Sequence, residues 1–60
     1  MDKFIKLNRV FNNGDVKESV FNCDNIISMY RDENYTKIIT IKEDFIVSES
    51  IDQILEMIKS

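Results

Sequence analysis

Apolar and polar residues alternate along the first part of the chain. In residues 3–11, apolar Ile5 and Leu7 alternate with polar Lys6 and Asn8. A period of two in a segment rich in Phe, Ile and Val is typical of a half-buried β-strand. The pattern therefore predicts a strand with one face turned to a core.

The end of this strand carries two further signals. Arg9 interrupts the apolar face, so we expect it near an edge of the sheet, with its stem packed and its head in water. Residues 12–15, Asn-Asn-Gly-Asp, form the strongest turn signal of the chain, because Asn and Gly both tolerate positive φ. This turn predicts a hairpin onto a second strand at residues 16–21.

Three shorter polar segments divide the rest of the chain before its C-terminal helix. Turn-forming residues occupy positions 22–25, 32–34 and 43–44. Between and after them, β-branched and aromatic residues predict strands at 26–31, 35–42 and 45–47.

The C-terminal segment has a helical pattern. Ser50 is a good N-cap, and Gln53 stands three residues later, at the spacing of a capping box. Glu49 and Asp52 lie where the helix dipole favours anions. An apolar stripe follows the i, i+3, i+4, i+7 spacing and predicts the face that packs on the sheet: Ile51, Ile54, Leu55 and Ile58.

These elements predict a single α+β domain over residues 1–60. We expect a small five-stranded antiparallel sheet, strongly bent or forming a partial barrel, capped by one C-terminal helix. Nothing before residue 50 has a helical pattern.

The chain contains few means of stabilising so small a fold. It has 60 residues, one cysteine and no histidine, so neither an intramolecular disulfide nor a Cys/His metal site can form. Domains of this size then depend on packing or on a partner chain. We therefore expect self-association, as a homodimer or higher oligomer, through an exposed edge at strand 4–10 or strand 26–31.

Charge is unevenly spread along the chain, whose net charge is −3. Residues 32–60 hold seven acidic and three basic side chains, whereas residues 1–31 hold four and five. No basic run is present, so we expect no direct nucleic-acid binding, and an acidic face would suit a basic protein partner. The chain also has no signal-peptide pattern and no long apolar run, so we expect no membrane insertion. Its single unpaired cysteine makes a cytoplasmic location the simplest interpretation.

No residues combine into a catalytic, cofactor or metal site in the sequence. The neighbours of Cys23 are Asn22 and Asp24, which do not activate a thiol, and the serines have no general base beside them. The acidic pairs at 32–33 and 43–44 lie in predicted turns, where a solvated role is the more common one. We therefore expect a protein that is not an enzyme.

A contact surface is the remaining functional candidate. Two tyrosines flank the predicted turn at 32–34, and three helix residues lie off the apolar stripe. For one of them, Met57, two roles stay open: it covers an edge of the core or it contacts a partner. The candidate partner-binding residues are Tyr30, Tyr35, Asp52, Glu56 and Met57.

Four segments together resemble the FlbD-like (SwrD-like, swarming-motility) family of very small flagellar-operon proteins. Residues 4–10, FIKLNRV, are similar to its opening IKLTRL, and residues 22–27, NCDNII, to its NPDLI, with Cys23 in place of proline. Residues 36–41 and 47–54 are similar to its TVITL and VKESVEEV. The resemblance implies a non-catalytic motility accessory protein. Similar small proteins in phage genomes imply an alternative, an inhibitor or ligand sponge acting against a host defence protein.

Overall fold

The computed structural model describes residues 3–60, which form five antiparallel strands and one helix in the predicted order. Every predicted element is present, with its ends within two residues of the expected ones. A short 3-10 turn, Cys23–Asn25, joins the second and third strands. The elements are β1 (Phe4–Val10), β2 (Val16–Asn22), β3 (Ile26–Asp32), β4 (Tyr35–Thr40), β5 (Asp44–Val47) and α1 (Ile51–Lys59).

The strands form one bent sheet that does not close, in the order β2-β1-β5-β4-β3. This order confirms the predicted α+β architecture. It also makes β1 an interior strand, so the expectation of a free edge at the first strand is wrong. One side of β1 is occupied by its hairpin partner β2, and Arg9 pairs with Val47 of β5 on the other. The sheet therefore ends at β2 and at β3, and the expected edge at the third strand is confirmed.

The core lies on the concave side of the sheet, under the helix. Ile5 lies opposite Phe21, and Ile38 lies opposite Phe45. Because residues paired on neighbouring strands share a face, the two side chains of each pair point to the same side of the sheet. The rings of Phe21 and Phe45 meet edge to face, with centroids 5.0 Å apart. Within residues 3–60, the buried apolar side chains are Ile5, Leu7, Phe21, Ile38, Val47 and Ile54.

The helix begins as the sequence predicts. Ser50 Oγ accepts a hydrogen bond from the Gln53 N–H at 3.1 Å, and Gln53 Oε1 accepts one from the Ser50 N–H at 2.8 Å. This reciprocal pair satisfies two backbone donors at the N-terminus of α1. At the other end, Lys3 Nζ donates to the Ser60 carbonyl, where the helix dipole favours a cation.

The face of α1 that packs on the sheet matches the predicted stripe at Ile54 and Ile58 and differs from it at Leu55. Ile54 is fully buried, but Leu55 is 39% exposed, and Met57 packs against the core in its place. The apolar residues of α1 span an arc of about 160° at 100° per residue, which is wider than one sheet contact covers. One edge of this apolar arc must therefore stay exposed to solvent. Where α1 contacts β3, Met57 is turned towards the core and Leu55 lies on the exposed edge.

Arg9 also differs from its predicted setting. Its guanidinium carbon lies 4.5 Å from the centre of the Phe11 ring and 4.3 Å from that of Phe45. It forms an ion pair with Glu43 at 3.8 Å, and its side chain is only 30% exposed. Because β1 is an interior strand, the Arg9 guanidinium stacks on the rings of Phe11 and Phe45 on the concave face of the sheet instead of extending into water.

Two turns use backbone conformations with positive φ. Gly14 has a φ of 90°, which explains the glycine in the β1–β2 turn. The Asp15 N–H donates to Asn13 Oδ1 at 3.0 Å in the same turn. In the β3–β4 turn, Glu33 has a φ of 57°, which is uncommon for a residue with a side chain.

Candidate functional site

Two of the predicted contact residues, Tyr35 and Asp52, line one cleft. The cleft lies between the β3–β4 hairpin and the start of α1, and its volume is about 420 Å³. We call it the hairpin–helix cleft. Its lining residues are Arg31, Asn34, Tyr35, Thr36, Ser48, Ser50, Ile51, Asp52 and Gln53.

The chemistry of the hairpin–helix cleft is polar and of mixed charge. Arg31 supplies a cation, and its Nε donates to the Glu33 carbonyl at 3.0 Å, which orients the guanidinium. Asp52 supplies a carboxylate on the helix side. The helix N-terminus does not add an anion site, because Ser50 and Gln53 already cap it. The cleft therefore presents hydrogen-bonding side chains of both charges, as a peptide segment would require.

A hydrogen-bond network centred on Glu49 lies beside this cleft. Thr36 is 2% exposed, and its Oγ1 donates to the Glu49 carbonyl at 2.7 Å. The Glu49 carboxylate accepts the Asn8 backbone N–H at 2.9 Å and the Asn8 side-chain amide at 2.9 Å. Glu49 thus joins β4 to β1 at the corner where the chain leaves β5 for the helix. Sequence reasoning assigned Glu49 only to the helix dipole and missed this contact.

The other predicted contact residues lie outside the cleft. Tyr30 is opposite Lys37 on the convex face of the sheet, diagonal to Tyr35, and is 46% exposed. Glu56 is exposed on the helix, and Met57 packs against the core. The structure brings together only Tyr35 and Asp52, and the partner-binding role of the set stays a prediction.

Arg31 is the cleft residue that sequence reasoning missed. It lies opposite Thr36 on the concave face, next to the turn at Glu33 and Asn34. A two-residue turn fixes the register of its hairpin, so Arg31, two positions before the turn, and Thr36, two positions after it, are paired and share a face. That spacing is the signal that places Arg31 beside the start of β4.

A second cleft lies at the free side of β2. Its volume is about 330 Å³, and we call it the β2 corner cleft. Val20 and Ile41 expose apolar surface there, and Glu43 adds a carboxylate. Its lining residues are Val20, Phe21, Asn22, Asn25, Thr40, Ile41, Lys42, Glu43 and Phe45.

Other side chains of functional interest are dispersed. Cys23 is a free, half-buried cysteine that packs beside the core. Among residues 3–60, Cys, Asp and Glu side chains do not gather in threes at a spacing that would hold a metal ion. In the same part of the chain, no helix is both long enough and apolar enough to cross a membrane.

Comparison with known proteins finds no matching family model, no matching curated protein and no matching solved structure.

Proposed function

We propose that this chain is a small, non-catalytic protein-interaction module that associates with itself. The observation that carries the proposal is the pair of free strand edges at β2 and β3, together with much exposed apolar surface. The large apolar side chains exposed within residues 3–60 are Phe4, Val16, Val20, Ile27, Tyr30, Tyr35, Ile41 and Leu55.

The position of these side chains supports an interaction role. Val16 and Val20 lie on β2, and Ile27 and Tyr30 lie on β3. Each edge strand therefore carries exposed apolar side chains beside the backbone N–H and C=O groups of its free edge. An exposed strand edge is a template for another strand, and natural proteins usually protect it. A domain with so small a core also gains stability when a second chain covers its surface.

Catalysis is not part of the proposal. The sequence contains no histidine, and the Ser50 hydroxyl in the hairpin–helix cleft accepts a hydrogen bond from the helix. A serine nucleophile requires a general base within hydrogen-bond reach.

The biological setting is proposed from the resemblance alone, as a cytoplasmic accessory of flagellar motility. A second candidate is a phage-encoded inhibitor or ligand sponge directed at a host defence protein. The charge of residues 32–60, seven acidic against three basic side chains, favours including it, because an acidic surface can occupy a basic nucleic-acid groove of a defence protein. The gene's neighbours separate the two: flagellar genes support the first candidate and phage early genes the second.

Sedimentation equilibrium over a concentration series tests self-association. We expect the apparent mass to rise above that of the 7.1 kDa monomer as the concentration increases. A folded protein that sediments as a monomer over the whole series would rule out the self-association part of the proposal.

Charge reversal on the helix tests the contact with a basic partner. We expect Asp52→Lys combined with Glu56→Lys to reduce recovery of the partner in a pull-down from the native host at low salt. The effect should shrink at high salt, because salt screens exposed charges. Cys23→Ser is the control and should recover the partner as the wild type does. Equal recovery by the double reversal at both salt concentrations would exclude the acidic helix face.

A further inference from the structure

The two free edges of the sheet differ in regularity. All seven residues of β2 pair in unbroken register with β1, from Val16 opposite Val10 to Asn22 opposite Phe4. The ladder of β3 shifts register between Ile26 and Ser28. A shift of this kind bends a strand and disrupts pairing along it, which protects an edge. The β2 edge has no such irregularity and is the better template for an added strand.

The sequence of β2 suits pairing with its own copy. An antiparallel pair centred on Ser19 matches all seven residues, with Val16 opposite Asn22, Lys17 opposite Phe21 and Glu18 opposite Val20. Each of these pairs keeps its side chains on one face, as a continuous sheet requires.

Neighbouring registers are less favourable. Centring the pair on Glu18 places two glutamates directly opposite each other, and centring it on Lys17 does the same for two lysines. Like charges directly opposite destabilise a strand pair. Centring on Val20 leaves only Glu18 to Asn22 paired within the strand. A register whose centre falls between two neighbouring residues would set convex-face side chains of one copy opposite concave-face side chains of the other.

The register centred on Ser19 also fills the β2 corner cleft. It places Val16 and Lys17 of the second copy opposite Asn22 and Phe21, which both line that cleft. The valine would meet the apolar surface of Val20 and Ile41. The lysine would approach the carboxylate of Glu43, which is exposed and is shared with Arg9.

We propose that the β2 edge pairs with the β2 edge of a second copy, antiparallel and centred on Ser19. Val16 and Lys17 of each copy then lie on opposite faces at the rim of the other's β2 corner cleft, beside Asn22 and Phe21, and the two sheets become one. This inference deepens the proposed function and rests on its self-association.

Matched glutamate substitutions distinguish the two edges. Val20 on β2 and Ile27 on β3 are exposed to nearly the same degree, 62% and 65%. In the register centred on Ser19, Val20→Glu would lie opposite Glu18 of the second copy, and like charges directly opposite destabilise a strand pair. We therefore expect Val20→Glu to abolish the dimer in sedimentation equilibrium and Ile27→Glu to leave it intact. Far-UV circular dichroism of both variants checks that they remain folded.

A cysteine substitution tests the register. In a dimer centred on Ser19, the two Ser19 residues face each other, and Cα atoms directly opposite in antiparallel strands lie about 4.5–5.5 Å apart, within disulfide range. We expect Ser19→Cys, in the Cys23→Ser background, to form a covalent dimer when air oxidises the two thiols. Ser28→Cys in the same background is the matched control on β3 and should stay mostly monomeric on a non-reducing gel.

A charge swap tests the cleft contact. Lys17→Glu should weaken the dimer, because it brings a second carboxylate to Glu43. Adding Glu43→Lys in the same chain should restore the dimer, and failure to restore it overturns the contact between Lys17 and the β2 corner cleft.

The outcomes separate this inference from the proposed function. A monomeric wild type overturns both. A wild-type dimer that survives Val20→Glu, dissociates with Ile27→Glu and does not cross-link through Ser19→Cys overturns the pairing of β2 with β2 and leaves self-association standing. Loss of the dimer with Val20→Glu and cross-linking through Ser19→Cys together support the β2 pairing centred on Ser19.

Discussion

Replacing Ile54 with alanine is expected to remove most of the protein's stability. Ile54 is fully buried and is the helix residue in the centre of the core cluster. Truncating a buried isoleucine costs about 2–5 kcal/mol, through lost burial and the cavity that remains. Small domains often have only about 5 kcal/mol in total, so the variant should be partly unfolded at room temperature. Urea denaturation followed by circular dichroism measures the loss.

Leu55→Ala is the matched control for this experiment. It removes a similar volume one position further along the same helix, but Leu55 is 39% exposed. A side chain exposed to this extent loses only part of its burial energy on truncation, about 1 kcal/mol or less. If Leu55→Ala destabilised the protein more than Ile54→Ala, the helix would be rotated so that Leu55 packs against the sheet, as the i, i+3, i+4, i+7 stripe alone suggests.

The elements of this fold could be predicted because their signals are local. The alternation of apolar and polar residues over short segments predicted the strands, and the turn residues at 12–15 predicted the first hairpin. Ser50 together with Gln53 predicted the start of the helix. Each signal acts through backbone conformation or hydrogen bonds within a few positions of the residue. For the same reason, the α+β architecture followed from the order of the elements.

Contacts between distant segments could not be predicted in this way. The pairing of β1 with β5 joins residues about forty positions apart, and alternation does not reveal which strand lies beside which. That single pairing makes β1 interior, leaves β2 as an edge and encloses Arg9 between two rings. The errors about the first strand and Arg9 therefore have one physical origin.

The candidate site shows the same division. Tyr35 and Asp52 were proposed separately from exposure-prone positions, and the fold brings them to one cleft. Arg31 was missed because its place depends on the hairpin register. The two roles open to Met57, covering the core or contacting a partner, could not be separated because the rotation of the helix depends on how it meets β3. The chemistry of single residues was predictable, whereas their convergence depended on the sheet order.

Glu49→Ala is expected to loosen the corner that joins the sheet to the helix. The Glu49 carboxylate accepts hydrogen bonds from the backbone and side chain of Asn8, next to the hydrogen bond that the Ser48 N–H donates to the Asn8 carbonyl just after β5. Hydrogen bonds to a charged group contribute about 1.5–3 kcal/mol. Because Asn8 is exposed and water can replace part of this contact, we expect a loss of about 1–3 kcal/mol in urea denaturation. Hydrogen exchange at the Asn8 amide should also become faster.

Two further variants show whether the loss comes from this contact. Glu56→Ala removes the same charge from an exposed helix position and should change the unfolding free energy little, since alanine is a strong helix former. Glu49→Gln keeps one acceptor oxygen for the Asn8 N–H, so it should retain part of the stability and of the amide protection. If Glu49→Ala and Glu56→Ala were equally stable and Asn8 exchanged at the wild-type rate in both, the carboxylate would not join β1 to the start of the helix. Thr36 would then be the residue that fixes the corner, through its hydrogen bond to the Glu49 carbonyl.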